Sequence, residues 1–201
     1  MTANPLNLAN ALTMLRVLLV GPFIWLIWEG RFSAALVVFL IAGLTDYLDG
    51  LAARLLHQET AFGRLVDPIA DKLLTTAAFV VLAVSRGGLP TIPVWLTASV
   101  VGRDVVIGFG SLLIYLIVGF TDFKPSIAGK INTFLEIVII AAFLFAGASG
   151  FLGGLLPAGY AIVLVSVAVS GIGYVVKGVT IYRVARVGPA AKSTGSADPA
   201  N

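Results

Sequence analysis

Six apolar stretches dominate the sequence, each close to the roughly 20 residues that an α-helix needs to cross a bilayer. They cover residues 8–28, 33–56, 68–85, 92–118, 130–147 and 157–182. Segments rich in Gly, Pro and charged residues separate them, as turns between helices do. The stretches show no alternation of polar and apolar residues, and backbone groups in lipid must bond within their own segment. The pattern predicts an all-α membrane protein with six transmembrane helices.

The composition supports a bilayer environment. Hydrophobic residues make up 59% and charged residues 11% of the chain, against about 45–50% and 25% in soluble domains. A soluble core of this size could not hide so much apolar surface. The formal net charge of +3 is too small to indicate a nucleic-acid partner, and the lack of cysteine excludes thiolate ligands and nucleophiles.

Basic residues are distributed unevenly between the two sets of loops. Only Arg31 and Arg86 flank the spans on one side, whereas the side with both termini carries Arg54, Arg64, Lys124, Lys130, Arg183, Arg186 and Lys192. By the positive-inside rule, both termini are predicted to be cytoplasmic. Residues 188–201 are small and polar and predict a disordered tail, so residues 1–187 are expected to form a single membrane domain.

Four aspartates interrupt the apolar pattern. Asp46 and Asp49 are three residues apart near the end of the second span, and Asp67 and Asp71 are four apart at the start of the third. Each spacing puts the pair on one helix face. Because a short turn joins the two spans, we expect them to be antiparallel neighbours, with both pairs near the cytoplasmic surface.

Four carboxylates at membrane depth need compensating charge. Hard divalent cations such as Mg²⁺ prefer carboxylate oxygens, often together with substrate phosphates. Two such ions about 3.5–4 Å apart form the usual clamp for displacement at phosphorus. The aspartates therefore predict a two-ion site for Mg²⁺ or Mn²⁺.

Small residues surround this acidic cluster. Gly50, Ala52 and Ala53 follow Asp49, and Gly63 precedes the second pair, so a ligand can approach the backbone closely. Arg54 lies one helical turn after Gly50, where its guanidinium suits a phosphate or a carboxylate.

Other interpretations of the cluster stay open at this point. Asp67 followed by Pro68 is typical of a helix N-cap and first turn. The aspartates could also form a structural ion-pair cluster with Arg54, Arg64 and Lys72, or relay protons in a transporter. A catalytically silent scaffold with buried ion pairs is a further alternative.

The spacing of the cluster resembles the signature of the CDP-alcohol phosphotransferase family. It reads Asp46-Tyr-Leu-Asp49-Gly50-Leu-Ala52-Ala53-Arg54, then eight residues, Gly63, three residues, Asp67, three residues and Asp71. The resemblance implies transfer of a phosphatidyl group from CDP-diacylglycerol to an alcohol, with release of CMP, by a homodimer in a bacterial inner or plasma membrane. Asp71 would be the general base and, with Asp46, Asp49 and Asp67, a metal ligand. The cytidine diphosphate pocket would comprise Asp46, Gly50, Ala53, Arg54, Gly63 and Asp67.

The first span carries a polar face formed by Asn10, Thr13 and Arg16. It is either a contact between helices or a wall of the substrate cleft, with Arg16 facing a lipid phosphate. This stretch is similar to the cardiolipin synthase and phosphatidylglycerophosphate synthase branches of the family.

Further candidates for binding a lipid or acceptor phosphate lie in the fourth and fifth spans. Arg103 and Asp104 are adjacent, so their side chains leave the helix about 100° apart. We therefore expect that they do not pair squarely with each other and that their partners are on other helices or are a phosphate. Lys124, Lys130 and Asn132 are candidates for a headgroup site, although the positive-inside rule alone explains the lysines. Glu136, one turn beyond Asn132, is expected to pair with a basic residue.

The acceptor is predicted from the branch that the chain resembles. The Arg103-Asp104 pair and the Lys124–Thr133 segment look like cardiolipin synthases, whose acceptor is phosphatidylglycerol. The other branch commonly has a second Arg eight residues after the first one in the fourth span, where this chain has Ser111. Glycerol 3-phosphate stays the alternative acceptor. His57, the only histidine, lies in a predicted turn and is expected to be solvated.

Overall fold

The protein folds into six α-helices in a computed structural model. The structure describes the backbone of residues 8–55, 61–84, 88–118 and 126–187, and the side chains of 14–45, 72–84, 88–114, 116–117 and 126–181. The helices are α1 Leu8–Trp28, α2 Phe32–Leu55, α3 Ala61–Ala83, α4 Val94–Val118, α5 Ile127–Ser149 and α6 Leu156–Val187, the last preceded by a 3₁₀ turn at Gly153–Leu155. These ranges contain no β-strand, which confirms the all-α prediction.

The start of α3 differs from the sequence prediction. The helix begins at Ala61 rather than 68, so Asp67 lies inside it and the N-cap interpretation of Asp67 is wrong. Pro68 therefore lies in a helix interior, as Pro22 does in α1. Interior prolines occur in membrane helices because neighbouring groups can bond the freed carbonyl. The predicted turn with His57 and the predicted tail at 188–201 lie outside the described residues.

Three of the helices are long and apolar enough to cross a membrane, judged on the residues that the structure describes. These segments are Val94–Ile114, Ile127–Ser149 and Gly153–Ile181. In α1 to α3, the described apolar segments are shorter and cover Met14–Trp28, Phe32–Thr45 and Lys72–Ala83.

The chain divides into two compact units. The first contains residues up to Thr97 together with Glu136–Ala161. In it, α1 packs against α2 and α3, and the Phe23 and Phe39 rings lie 5.9 Å apart between centroids. Phe32 packs edge-on to Phe143 at 6.3 Å. A Cβ atom on Gly147 would lie 2.8 Å from the Phe32 ring, so the glycine makes room for this aromatic contact.

The second unit contains Ala98–Leu135 and the chain from Ile162 onward. Arg103 in α4 contacts Ser170 in α6, and Ile114, further along α4, faces Gly178, further along α6. These two contacts show that α4 and α6 run parallel. In α5, Asn132 bonds Ser166, whereas the earlier Gly129 faces the later Tyr174. Within this unit, α5 is therefore antiparallel to α6.

Candidate functional site

The acidic motif lies in two consecutive helices. Asp46 and Asp49 lie in the second half of α2, and Asp67 and Asp71 lie in the first half of α3. The helical backbone confirms the spacing that puts each pair on one face. The side chains of residues 46–71 lie outside the described part, and so do the predicted contacts of Gly50, Ala53, Arg54 and Gly63.

Distance along the helix axes sets the level of each aspartate. At about 1.5 Å per residue, Asp49 lies about 9 Å before the end of α2, and Asp67 lies about 9 Å after the start of α3. Asp46 and Asp71 lie about 14 and 15 Å from the same helix ends. In an antiparallel hairpin, Asp49 is thus level with Asp67, and Asp46 with Asp71.

Charged side chains are buried in the first unit beside the ends of this motif. Arg16 of α1 is 1% exposed and Glu136 of α5 is fully buried. Lys72, which directly follows Asp71, places its Nζ 3.8 Å from Glu136 Oε2. The prediction that Glu136 pairs with a basic residue is confirmed.

The hydroxyl groups next to the motif are satisfied by the backbone of their own helices. Thr45, just before Asp46, donates to the Ala42 carbonyl at 2.8 Å. Thr75 donates to the Lys72 carbonyl at 3.3 Å. Asn10 and Thr13 lie in α1, but their side chains are outside the described residues.

Arg103 is the centre of a second polar cluster, in the second unit. Its Nη1 donates to Asp104 Oδ1 at 2.6 Å, and its Nη2 donates to Ser170 Oγ at 2.5 Å. The Tyr174 ring lies 5.9 Å from the guanidinium carbon. The expectation of partners on another helix is confirmed. The expectation that Arg103 and Asp104 would not pair is wrong, because the long arginine side chain spans the 100° between adjacent positions.

The first turn of α5 packs beside this guanidinium. Ser126 caps the helix, its Oγ accepting a hydrogen bond from the Gly129 N–H at 3.0 Å. A Cβ atom on Gly129 would lie 3.5 Å from Arg103 Nη2 and 3.4 Å from the Tyr174 ring. Glycine at this position therefore lets both side chains approach the helix.

Asn132 is fully buried, and its Oδ1 accepts a hydrogen bond from Ser166 Oγ at 3.0 Å. The structure thus brings the predicted residues Arg103 and Asn132 into one unit. Lys130 is exposed, and Lys124 lies outside the described residues.

Sequence reasoning did not single out Ser166, Ser170 or Tyr174, which are the α6 partners of these residues. Ser166 and Ser170 are four residues apart within residues 161–173 of α6, which are otherwise apolar. That spacing defines a polar face on α6, and it was the available signal for these contacts.

Among the side chains that the structure describes, no three His, Cys, Asp or Glu residues lie close enough together to hold a metal ion. The predicted ligands are the four aspartates, which lie outside that set. Their chemistry fits a divalent cation, because carboxylate pairs on helix faces supply the oxygen ligands that Mg²⁺ and Mn²⁺ prefer.

Comparison with known proteins gives the class to which this helical architecture belongs. Residues 6–181 match the family model described as CDP-alcohol phosphatidyltransferase. This match covers most of the chain and includes both aspartate pairs. The protein belongs to the CDP-alcohol phosphatidyltransferase family.

Curated relatives fall into two groups by name. A CDP-diacylglycerol–glycerol-3-phosphate 3-phosphatidyltransferase of Pseudomonas fluorescens is 43% identical over 108 residues, which are 51% of this chain and 53% of that protein. A protein of the same name from Bacillus subtilis is 31% identical over 157 residues, covering 69% and 76%. A CMP-forming cardiolipin synthase of Rattus norvegicus is 34% identical over 159 residues, covering 71% and 51%. The chain spans about half the length of the Pseudomonas and rat relatives.

Proposed function

We propose that the protein transfers a phosphatidyl group from CDP-diacylglycerol to an alcohol acceptor and releases CMP. The observation that carries this proposal is that both aspartate pairs lie within helical backbone, one pair in the second half of α2 and the other in the first half of α3. In an antiparallel hairpin this spacing would put the two pairs at matching levels. The match to the family over residues 6–181 supports it and disfavours a proton-coupled transporter or a silent scaffold.

The aspartates Asp46, Asp49, Asp67 and Asp71 would hold the metal. Two divalent ions bound there would neutralise charge on the diphosphate and on the phosphorus under attack. The small residues of the motif, Gly50, Ala53 and Gly63, would admit the cytidine diphosphate against the helix backbones, with Asp46, Asp67 and Arg54 contacting it.

Asp71 would act as the general base. Its carboxylate takes the proton of the acceptor hydroxyl, and the acceptor oxygen forms a bond to the phosphorus that carries diacylglycerol. The bond from that phosphorus to the bridging oxygen breaks, and CMP leaves with this oxygen. Positioning and charge stabilisation supply most of the rate in such displacements.

Phosphatidylglycerol is the acceptor that we favour. The one charged guanidinium described in α4 belongs to Arg103, and Asp104 already pairs with it. Position 111, where a second Arg is common in the other branch, is serine. This arrangement suits a singly charged phosphodiester better than the dianionic phosphate of glycerol 3-phosphate. Arg103 and Asn132 would contact a lipid phosphate, together with Lys124 and Lys130.

The membrane arrangement completes the proposal. All six helices would cross a bacterial inner or plasma membrane, with both termini and the active site on the cytoplasmic side. Arg16 would face the lipid phosphate, and the protein would form a homodimer. The parallel course of α4 and α6, with α5 antiparallel, supports such alternation.

The variant Pro90→Cys tests this orientation, because Pro90 is exposed. We expect a membrane-impermeant maleimide to label the cysteine from outside the cell. Labelling only after permeabilisation would contradict the orientation.

An acceptor panel tests the proposed reaction. Purified protein would receive radiolabelled CDP-diacylglycerol with phosphatidylglycerol, glycerol 3-phosphate, inositol phosphate or serine. We expect cardiolipin as the main labelled product. Preferential formation of phosphatidylglycerophosphate would overturn the choice of acceptor but keep the donor chemistry, and the lack of any product would overturn both.

A further inference from the structure

An apolar groove runs between α4 and α6 in the second unit. It consists of a cavity of about 430 Å³ and a second of about 390 Å³, which share Val106 and Val175 as wall residues. The first extends toward Ile117 and Ile181, and the second reaches Arg103 and Val167. Because α4 and α6 run parallel here, the cavities lie end to end along the two helices.

Glycines open this groove. A Cβ atom on Gly110 would meet nothing within 4 Å, so a larger side chain there would enter empty space. A Cβ atom on Gly178 would lie 3.1 Å from Ile114 Cδ1, so glycine lets the helices approach. The α4 wall from residue 103 to 117 is about 21 Å long. That length exceeds the roughly 15 Å of one leaflet of the hydrocarbon core, enough for an acyl chain.

The polar groups of the larger cavity are few and include one charge. Ser111, Tyr174 and Lys177 are the polar residues of its wall. Among the described residues of α6, 156–181, Lys177 is the only charged one. Basic pockets between transmembrane helices bind phospholipid headgroups.

We propose that this groove seats one acyl chain of the lipid acceptor, phosphatidylglycerol, with its phosphodiester beside Lys177 and the chain directed toward Val167. This inference rests on the proposed function and extends it to the acceptor's lipid portion. A single ammonium matches the single charge of a phosphodiester, whereas the donor carries a diphosphate, assigned above to the metal ions. Glycerol 3-phosphate has no chain to fill the groove.

Filling the groove tests the proposal. Gly110→Leu inserts a side chain into it, and Gly108→Leu is the matched control, since Gly108 lies on the same helix, outside the groove, and also has open space at its Cβ. With saturating CDP-diacylglycerol in mixed micelles, Gly110→Leu is expected to raise the KM for phosphatidylglycerol about tenfold or more. The KM for CDP-diacylglycerol and the rate with glycerol 3-phosphate should change less than about twofold.

A second pair of variants tests the headgroup contact. Lys177→Met is expected to raise the KM for phosphatidylglycerol about tenfold, the usual effect of losing a hydrogen bond to a charged group. Lys177→Arg keeps the charge and should restore most of the affinity. An equal effect of both substitutions would contradict a charge contact at this position.

A binding measurement separates failure of this inference from failure of the proposed function. Phosphatidylglycerol added to detergent-solubilised protein should raise the Tm of the wild type and of Gly108→Leu, because a ligand that binds the native state stabilises it. It should not raise the Tm of Gly110→Leu. Val106→Trp is a second variant that blocks the groove, because Val106 lines it. Val105→Trp is its control, because Val105 is not part of the groove wall.

Two results would overturn the groove assignment. One is a phosphatidylglycerol KM in Gly110→Leu equal to that in Gly108→Leu, while the wild type still makes cardiolipin. The other is loss of dimers in Gly110→Leu with unchanged phosphatidylglycerol dependence, which would identify the groove as a contact between copies of the chain. If phosphatidylglycerol stabilised the wild type but no phosphatidyl transfer occurred, the groove assignment would stand and the proposed enzymatic function would be refuted.

Discussion

The carboxylate of Asp71 has two roles in the proposed reaction, as a metal ligand and as the base that takes the acceptor proton. Asp71→Asn keeps the size of the side chain but removes its basicity. We expect CMP release to fall by about 10²–10⁴-fold, the usual contribution of a general base, and further if metal binding is weakened.

Glu29→Gln is the control for this substitution, because Glu29 is an exposed carboxylate just beyond α1. Both variants should elute from gel filtration as the wild type does. Activity of Asp71→Asn within a few-fold of that of Glu29→Gln would remove Asp71 as the base.

Residue spacing along a helix does not determine which partner a charged side chain finds. The 100° between Arg103 and Asp104 correctly predicted divergent Cβ directions, but the pair forms at 2.6 Å because the arginine side chain is long and flexible. Glu136 could be assigned a basic partner from its charge in an apolar helix. That the partner is Lys72, from a different helix, depends on tertiary packing.

At the scale of the helices, glycines decide where two elements can touch. Gly147→Ala would place a methyl group 2.8 Å from the buried Phe32 ring, which itself packs against Phe143. We expect a loss of about 1–3 kcal/mol in the free energy of unfolding, as is usual for overpacked cores. Denaturation in mixed detergent micelles would measure it.

Gly43→Ala provides the matched comparison. Gly43 is also helical, and a Cβ atom there meets nothing within 4 Å, so alanine should stabilise the protein by up to about 1 kcal/mol. Equal stability of Gly147→Ala and the wild type would show that the Phe32 contact does not constrain α5.

Hydropathy predicted that the helices exist, but some boundaries differ from the structure: α3 begins at Ala61 instead of 68, α5 begins at Ile127 instead of 130, and α6 ends at Val187 instead of 182. The predicted starts and ends of α1, α2 and α4 agree with the structure within two residues. For α3, Asp67-Pro68 is a typical start signal, but Ala61, Phe62, Arg64 and Leu65 are compatible with a helix and extend it backward. A local capping signal cannot exclude a helix that begins earlier.

At the scale of the whole molecule, the order of apolar stretches predicts alternating helix directions. In the second unit, the Arg103–Ser170 and Asn132–Ser166 contacts show this alternation for α4, α5 and α6. Hydropathy could predict it because lipid requires helices that each cross the bilayer. It could not predict which serines of α6 would face Arg103 and Asn132, because that depends on helix rotation.

The acidic motif links the sequence to the proposed chemistry. Its spacing predicts that each aspartate pair shares a helix face, and the family match over residues 6–181 includes both pairs. The comparisons do not choose the acceptor, because a relative named as a glycerol-3-phosphate 3-phosphatidyltransferase and one named as a cardiolipin synthase are both similar to this chain.

Metal-dependent release of CMP is the measurement that tests the central claim most directly. Purified wild-type protein would be incubated with CDP-diacylglycerol and phosphatidylglycerol, with Mg²⁺ or Mn²⁺, or with a chelator, and CMP would be quantified. We expect CMP release with either metal ion, none with the chelator, and recovery when the ion is restored. No release in any metal with any acceptor, or equal release with the chelator, would contradict it.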